Sequence, residues 1–290
     1  MSPTQTESLK LALPKGRMHD GVVRLLSDAG ITVSASARGY RPRVSLEGVE
    51  AKILKPQAII EMLASGTRDV GFAGADWVCE LQADLIEVLD TGMDRVRLVA
   101  AAPRELLVDG GLPARPLVVT SEMQRLTAQW IATRGLDATF VRSWGATEVL
   151  PPDDADCIVD IAASGATLEA NGLVIVDELL TSSTRLYASR AAWENPEKRA
   201  RIEGLGLVLL SVLEARRRVM LEVNVAPAKL EDVYKVLPCT REPTISQSHG
   251  DAGYAVKAAV PRDDLPRLIP LIKSRGGTDL VISPIAQVVP

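Results

Sequence analysis

The segment that runs from Asp160 to Thr167 combines an acidic side chain with small residues. An apolar run at 157–159 ends at Asp160, and the loop that follows contains Ala163, Ser164, Gly165, Ala166 and Thr167. A strand that passes through such a loop into a helix presents several backbone N–H groups to one point, which is an arrangement that binds phosphate. The hydroxyls of Ser164 and Thr167 add donors. The Asp160 carboxylate could bind ribose hydroxyls or face a developing sugar cation.

Two interpretations of this segment are open. Loop and acid together indicate a site for a phosphorylated ribose, because α/β sheets place ligands at the carboxyl ends of their strands. The alternative is an ordinary strand–turn–helix connection in which Asp160 is a cap, and the pattern by itself slightly favours that alternative.

A second group of candidate residues consists of cations beside predicted strand ends. Lys15 and Arg17 flank a glycine directly after the first predicted strand, so the backbone can approach a ligand there and both cations can bind phosphate or pyrophosphate. Lys55 and Arg97 are placed similarly. Each of the four could instead be a solvated surface charge or an ion-pair partner.

Two further carboxylates fall near predicted helix starts. Glu148 lies in the first turn of a helix predicted near 146–150, where the helix dipole favours a negative charge. Asp76 precedes another predicted helix and is expected to cap it. Contact with a substrate is the second interpretation for both residues.

Composition limits the classes of function. The chain has 290 residues, of which 47% are apolar and 24% charged, with a net charge of −4, so two or three modules of an ordinary globular protein are expected. The mixed charges and an aromatic content of 3% argue against a nucleic-acid partner. No apolar run approaches the roughly 20 residues needed to span a bilayer, and the polar N-terminus is not a secretory signal.

Cysteine and histidine usage adds to these limits. The three cysteines, Cys79, Cys157 and Cys239, stand far apart in apolar surroundings and are expected to be buried free thiols, as fits a reducing cytoplasm. With only two histidines and no cluster of metal-binding residues, no metal site is expected.

The elements that must position these residues alternate between short strands and helices, which predicts parallel βαβ units over residues 1–216. Strands are predicted at 10–13, 50–55, 70–72, 96–102, 117–120, 138–141, 157–159, 173–178 and 184–189. Helices are predicted at 20–29, 56–64, 122–134, 146–150 and 197–213. The region 103–116 contains two glycines and three prolines and is expected to be a loop.

Residues 217–290 predict a further module. Strands at 218–223, 244–247, 254–260 and 279–285 and helices at 230–237 and 265–274 give the order β-α-β-β-α-β of the ferredoxin-like fold.

Six segments, in order along the chain, closely resemble motifs of the ATP phosphoribosyltransferase family in its long form. They are Leu13–Met18, Ile53–Pro56, Asp69–Asp76, Gly145–Val149, Ser164–Leu173 and Arg241–Ile245. The stretch 120–125 departs from the family because it lacks an aromatic–proline pair. The resemblance implies a two-lobed fold similar to type II periplasmic binding proteins, followed by a ferredoxin-like regulatory domain. It places the catalytic domain at 1–216 (lobe I about 1–102 plus about 184–216, lobe II about 103–183) and the regulatory domain at 217–290.

The resemblance also implies a reaction, in which adenine N1 of ATP displaces pyrophosphate from C1 of phosphoribosyl pyrophosphate as the first step of histidine biosynthesis. By this resemblance residues 163–167 hold the 5-phosphate and Asp160 the ribose hydroxyls. Lys15 and Arg17 offset the pyrophosphate charge, and Mg2+ accompanies the leaving group. Cleft or ATP contacts are assigned to Lys55, Asp76, Arg97 and Glu148.

The last implication is feedback inhibition by histidine at the C-terminal module. Candidate ligands of the effector are the polar side chains of Thr244, at a predicted strand start, and Asn224, at a predicted strand end, with Asp279 on the last strand as a weaker candidate. Each of the three could instead satisfy the backbone of a turn. The resemblance further implies a homo-oligomer, a hexamer or a dimer. The rival hypothesis is a cytoplasmic regulatory or small-ligand-binding paralogue that has the two-lobe fold but lacks catalysis.

Overall fold

The computed structural model describes residues 7–34, 39–238, 242–249 and 253–290. The chain divides into two compact units, which are described separately. The first comprises the residues up to Ser27 together with Ile31–Gly206, and the second comprises Asp28–Gly30 together with Leu207–Pro290.

The first unit is built on an eight-stranded sheet with helices around it. Its strands are β1 (Leu9–Pro14), β2 (Val33–Ser34), β3 (Arg43–Val44), β4 (Val49–Leu54), β5 (Val70–Gly74), β6 (Ile86–Pro103), β7 (Leu117–Ser121), β8 (Ala138–Arg142), β9 (Cys157–Ala162) and β10 (Leu173–Ala188). The helices that begin in this unit are α1 (His19–Asp28), α2 (Pro56–Ala64), α3 (Ala75–Leu81), α4 (Gln124–Arg134), α5 (Ala166–Ala170), α6 (Arg190–Glu194) and α7 (Pro196–Arg216), and the chain passes into the second unit within α7. The sheet order is β4-β1-β5-β10-β6-β9-β7-β8, and β2 and β3 form a separate two-stranded sheet.

Two parallel groups of strands make up the ends of this sheet. β1 runs parallel to β4 and β5, and β7 runs parallel to β8 and β9. The long strands β6 and β10 join the groups and are antiparallel to each other and to their neighbours β9 and β5. This is the predicted arrangement of two α/β halves.

Strand register fixes where the two halves meet. The carboxyl end of β5 pairs Gly74 with Thr184, which is opposite Met93. The carboxyl end of β9 pairs Ala162 with Arg97. Met93 and Arg97 are four residues apart, at most about 13 Å along β6. Both groups therefore direct their carboxyl ends, the usual place for ligands in such sheets, to the same middle part of β6 and β10.

The two returning strands predicted at 173–178 and 184–189 form the single strand β10. The intervening segment 179–183 consists of two leucines, a threonine and two serines and contains neither glycine nor proline, so nothing in the backbone ends the strand. Instead of ending there, β10 continues its pairing with β6, and the register between the two strands shifts at several points. The strand predicted at 96–102 likewise begins ten residues earlier, at Ile86.

The second unit contains a four-stranded antiparallel sheet. Its elements are β11 (Arg218–Val225), α8 (Leu230–Tyr234), β12 (Thr244–Gln247), β13 (Tyr254–Pro261), α9 (Leu265–Ser274) and β14 (Gly277–Pro284). The sheet order β12-β13-β11-β14 is that of the ferredoxin-like fold, so this prediction is confirmed. Alternate residues of β11, from Val219 to Val225, pack with Val233, Leu268 and Ile272 in the core of the unit.

Two points concern solvent and membrane exposure. None of the described helices combines the length and the apolar character that crossing a bilayer requires. Cys157 is buried as expected, and burial raises the pKa of its thiol to about 12. Cys79, expected to be buried, is exposed on α3, whereas Cys239 lies outside the described residues.

Asp69, which belongs to one of the six motif segments, has a structural role. One carboxylate oxygen accepts a hydrogen bond of 2.7 Å from the Lys10 backbone amide, and the other lies 3.2 Å from Nζ of Lys198. The Asp69 and Lys198 side chains are only 5% and 12% exposed. The pair therefore ties β1 to the start of α7 in a poorly solvated place.

We expect the substitution Lys198→Met to lower the free energy of unfolding by about 3 kcal/mol, because it leaves the buried Asp69 carboxylate without its cation. The neighbouring Arg199→Met is the matched control. Arg199 pairs with Glu203, but both side chains are about half exposed, so its loss should cost less than about 1 kcal/mol. Urea unfolding followed by circular dichroism measures both, and equal costs would contradict the assignment.

Candidate active site

A cavity of about 490 Å³ lies at the middle part of β6 and β10, where the two halves of the sheet direct their carboxyl ends. Its lining consists of residues from these two strands and one residue of the small-residue loop: Asp90, Arg95, Val96, Arg97, Thr181, Ser182, Ser183, Arg185 and Ala163. Three arginines and one aspartate make this a cationic cavity, which suits an anionic ligand.

The small-residue loop borders a second cavity of about 190 Å³, lined by Glu148 and by the whole segment 160–168. Gly165 has a φ of +86°, which is the left-handed region that glycine adopts without strain. The first amide bonded within α5 is that of Glu169, to the Gly165 carbonyl, so the preceding amides lie outside the helical hydrogen-bond ladder. The structure thus brings the predicted loop residues around one small space. Ala163 borders both cavities.

Asp160 lies within β9 and also borders the loop cavity, beside Glu148. One of its carboxylate oxygens accepts a hydrogen bond of 2.7 Å from the Ile161 amide. Burial raises the pKa of the Asp160 carboxyl to about 6, and the negative charges of Glu148 and Glu122 contribute to the rise. A nearby cation would stabilise the ionised form of Asp160, because the protein itself compensates little for the hydration that this carboxylate loses on burial.

Lys15 and Arg17 follow β1, as predicted, and both are exposed. Nζ of Lys15 lies 3.4 Å from the Tyr40 hydroxyl and 5.3 Å from the centre of that ring. Arg17 donates a hydrogen bond of 3.2 Å to the Asp94 carbonyl, on β6. Arg95, the next residue, borders the cationic cavity, so Arg17 reaches the same region of β6.

Arg97 borders the cationic cavity, and its guanidinium lies 3.3 Å from the Glu178 carboxylate. Both side chains are about 40% exposed, so this ion pair is weak and can exchange for a ligand anion. Lys55 is exposed at the start of α2, next to Lys15 in space, because the Lys15 amide bonds to the Leu54 carbonyl.

Asp76 does not cap α3 as expected. The N-cap is Gly74, and the Asp76 side chain is buried within the first turn. Its carboxylate accepts a 2.9 Å hydrogen bond from the hydroxyl of Ser182, whose oxygen accepts one from the Asp76 amide. Burial raises the pKa of the Asp76 carboxyl, and the hydrogen bond from the Ser182 hydroxyl to that carboxyl opposes the rise. Ser182, and not Asp76, borders the cationic cavity.

Sequence analysis missed Arg95 and Arg185, which border the cavity with Arg97. The sequence could have indicated Arg95 as a site residue, because it stands two residues before Arg97 and side chains at that spacing on a strand share a face. No such pattern indicated Arg185. It enters the cavity through the pairing of β10 with β6, and its guanidinium is held by Glu87 at 2.7 Å and Asp90 at 3.4 Å.

Of the three predicted effector ligands in the second unit, the structure brings Asn224 and Asp279 together but places Thr244 elsewhere. Nδ2 of Asn224 lies 3.4 Å from the Asp279 carboxylate. Thr244 instead borders a separate cavity of about 460 Å³, together with Glu214, Arg218, Lys257 and the end of the chain. Thr244 pairs with Lys257 and Asn224 with Ala255, so two strand spacings and two residues, about 12 Å between Cα atoms, separate Thr244 from Asn224.

The raised pKa of Asp160 predicts a pH-dependent stability. A carboxyl that titrates at 3.8 when unfolded and about 6 when folded destabilises the folded state above pH 6, by at most about 3 kcal/mol. That destabilisation vanishes below about pH 4, where the carboxyl is protonated in both states. We therefore expect Asp160→Asn to be more stable than the parent chain at about pH 8, with the difference disappearing towards pH 4.

Urea unfolding at a series of pH values measures this difference, and a difference that does not change with pH would contradict the explanation. Glu148→Gln is the companion variant. Removing that charge should lower the pKa of Asp160 and shrink the effect of Asp160→Asn measured in its background.

Known proteins resemble this chain along most of its length. Residues 55–208 match the family described as ATP phosphoribosyltransferase, and residues 215–287 match the HisG C-terminal domain. The ATP phosphoribosyltransferase of Chlorobium chlorochromatii is 35% identical over 277 residues, 94% of each chain, and that of Pelotomaculum thermopropionicum is 32% identical over 287 residues, 97% of this chain and 99% of that relative.

A solved structure agrees with these sequence matches. The ATP phosphoribosyl transferase (HisG:HisZ) complex from Thermotoga maritima includes a chain that superimposes with a TM-score of 0.63 at 25% identity, over 71% of this chain and 98% of that one. Both sequence units match in the family's order, and the relatives are covered almost end to end. The chain therefore belongs to the ATP phosphoribosyltransferase family.

Proposed function

We propose that this protein transfers the phosphoribosyl group of phosphoribosyl pyrophosphate to N1 of the adenine of ATP, which gives phosphoribosyl-ATP and pyrophosphate in the first step of histidine biosynthesis. The observation that carries the proposal is the contact of two differently built cavities at Ala163. One is a small loop cavity with backbone amides and an acid, and the other is lined by arginines. A substrate with a phosphate at one end and a pyrophosphate at the other fits such a pair.

The roles of the residues follow from their surroundings. The loop amides and the hydroxyls of Ser164 and Thr167 bind the 5-phosphate, and Asp160 holds the ribose hydroxyls. The adenine N1 lone pair forms the new bond to C1 while the C1–oxygen bond breaks and its electron pair leaves with pyrophosphate. Asp160, ionised above about pH 6, stabilises positive charge that develops on the ribose. Lys15, Arg17 and Arg97 balance the negative charge of the leaving group.

Magnesium belongs with the substrate in this proposal. Among the described residues, no three or more His, Cys, Asp and Glu side chains are grouped so as to hold a metal ion. The phosphate oxygens of pyrophosphate suit Mg2+, which is commonly bound through substrate phosphates and few protein ligands. We therefore propose that Mg2+ enters with phosphoribosyl pyrophosphate and neutralises the leaving group.

The rival hypothesis, a paralogue that binds ligands without catalysis, predicts binding of phosphoribosyl pyrophosphate but no turnover. Family membership favours the enzyme, because the relatives that this chain matches almost end to end are ATP phosphoribosyltransferases. The substrates are metabolites of the cytoplasm, where we place the protein. We also propose that it is a homo-oligomer, a hexamer or a dimer; the solved T. maritima relative is itself described as a complex of HisG with HisZ.

Purified protein with Mg2+, ATP and phosphoribosyl pyrophosphate should release pyrophosphate and form phosphoribosyl-ATP, with histidine absent and both substrates saturating. Coupled detection of pyrophosphate and mass spectrometry of the nucleotide measure the two products. Omission of either substrate is the control. Absence of both products, in protein that binds phosphoribosyl pyrophosphate by calorimetry, would favour the non-catalytic hypothesis.

Histidine is proposed as the allosteric inhibitor, bound at the second unit. Of the three predicted ligands, Thr244 has the most suitable surroundings. Its cavity is lined by acidic Glu214 and Glu242 and by basic Arg218 and Lys257, which can bind the ammonium and carboxylate groups of a free amino acid. To inhibit, histidine must bind the inactive state more tightly than the active one.

We expect Thr244→Ala to weaken histidine binding roughly tenfold, the loss of about one hydrogen bond to a charged group. Ser246→Ala is the matched control, because Ser246 lies on the same face of β12 but does not border the cavity. Calorimetry measures the affinity of each variant. If Asn224→Ala weakens binding and Thr244→Ala does not, the effector binds at the Asn224–Asp279 pair; if the parent chain binds no histidine, the regulatory proposal is wrong.

A further inference from the structure

The segment Asp90–Asp94 of β6, termed here the β6 bulge, contains extra residues that have no register partner on the facing part of β10. Ser182, Thr184 and Arg185 of β10 pair with Val96, Met93 and Asp90. Between Arg185 and Ser182, β10 advances three residues while β6 advances six. Bulges of this kind bend a strand and redirect its side chains, and they are frequent next to active sites.

Asp94 has an uncommon backbone conformation within the β6 bulge. Its φ is +49°, in the left-handed region that costs a residue with a side chain free energy, although aspartate adopts it more readily than most. It is held by a contact with β10, because the Thr184 hydroxyl donates a hydrogen bond of 2.8 Å to the Asp94 carboxylate. Thr184 itself is buried, with 1% of its surface exposed.

Two further contacts fasten the β6 bulge to β10. The Ser183 hydroxyl donates a 2.7 Å hydrogen bond to the Asp90 carboxylate, and the Thr91 hydroxyl donates one to the Thr184 carbonyl. The same Asp90 oxygen accepts a hydrogen bond from the Gly92 amide. The bulge is therefore a fixed piece of backbone, and the direction of the Asp94 carbonyl is fixed with it.

The Asp94 carbonyl accepts the 3.2 Å hydrogen bond from Nη1 of Arg17. An arginine side chain has a large rotamer entropy and five N–H donors, so one bond to a rigid carbonyl restricts its position and leaves most donors available to an anion. Gly21, at the start of α1, also lies against Asp94: a methyl group there would be 3.7 Å from the carboxylate. Asp94 thus links the Arg17 loop and α1 to the middle of β6.

We propose that Asp94 is a positioning residue for catalysis, which holds the Arg17 guanidinium beside the cationic cavity through a carbonyl whose direction the Thr184 hydrogen bond maintains. The proposal rests on the role of Arg17 in binding the pyrophosphate group, stated above. It assigns Asp94 no contact with substrate. Its expected contribution is to the efficiency with which phosphoribosyl pyrophosphate is used.

Two pairs of variants test the proposal. Asp94→Gly permits the same φ but loses the bond to Thr184, and it should lower kcat/KM for phosphoribosyl pyrophosphate roughly five- to tenfold, as for one lost hydrogen bond. Asp94→Asn keeps an acceptor oxygen and tolerates the left-handed conformation, so it should stay within about twofold of the parent chain. Thr184→Val should behave like Asp94→Gly, and Thr184→Ser, which keeps the hydroxyl, like Asp94→Asn. If a variant of one residue does not fold, the pair of variants at the other residue still tests the proposal.

A double-mutant cycle with Arg17→Ala separates positioning from a general structural effect. If Asp94 acts through Arg17, Asp94→Gly should cause no further loss of kcat/KM in the Arg17→Ala background. This inference would be overturned if the losses of kcat/KM in the two single variants were fully additive. It would also be overturned if Asp94→Gly and Thr184→Val had normal kinetics while Arg17→Ala was impaired, and in either case the proposed function would stand. Normal kinetics of Arg17→Ala would overturn the role of Arg17 and this inference together, and a parent chain without turnover would overturn the proposed function.

Discussion

The pairing of β6 with β10 is the constraint on which the candidate site depends. Each parallel group of strands touches only one of these two strands, β5 against β10 and β9 against β6. The relative placement of Gly74 and Ala162, and hence of the segments that follow them, is consequently set by the β6–β10 register. A slip of one residue would turn every side chain of a strand to the other face of the sheet and remove Arg97 from the cavity.

Charge is distributed in the site according to the chemistry proposed for it. The chain is acidic as a whole, with a net charge of −4, but the larger cavity is lined by Arg95, Arg97 and Arg185. The acids Asp160 and Glu148 border the smaller one. In the proposed reaction, the leaving pyrophosphate is attracted to the arginine-lined side, while the ribose that loses it faces a carboxylate. Both effects favour the separation of charge that breaking the glycosidic bond requires.

Sequence alone predicted the parts of the fold that local patterns encode. α9, with proline in its first turn, and the short strand β12 were located to the residue. The loop at 163–167 was identified because its residues are contiguous. Errors arose where distant pairing overrides local pattern. The run Thr181–Ser183 lies between two strands that were predicted to be separate, yet pairing with β6 holds it within the single strand β10.

The site residues that sequence reasoning missed or misplaced are explained by the same limit. Asp76 has the spacing of a cap, but Ser182, 106 residues away, provides the hydrogen bond that keeps it buried. The role of Arg185 depends on Glu87 and Asp90, nearly a hundred residues earlier. Thr244 and Asn224 were grouped because both are polar and near strand ends, and only the register shows the strand between them. These contacts are properties of pairing, and no local pattern contains them.

The β6 bulge shows how such a pairing can do more than place side chains. A glycine at position 94 would satisfy the left-handed backbone at no steric cost, whereas aspartate incurs strain that its hydrogen bond to Thr184 must offset. Aspartate differs from glycine in that its side chain is bound to Thr184 of β10. The Asp94 carbonyl that accepts the hydrogen bond from Arg17 is therefore held in place relative to the cavity that β6 and β10 line. Arg17 is thereby held by Asp94, 77 positions further along the chain, and Asp94 in turn by Thr184, another 90 positions on, so the β6–β10 register governs both sides of the proposed site.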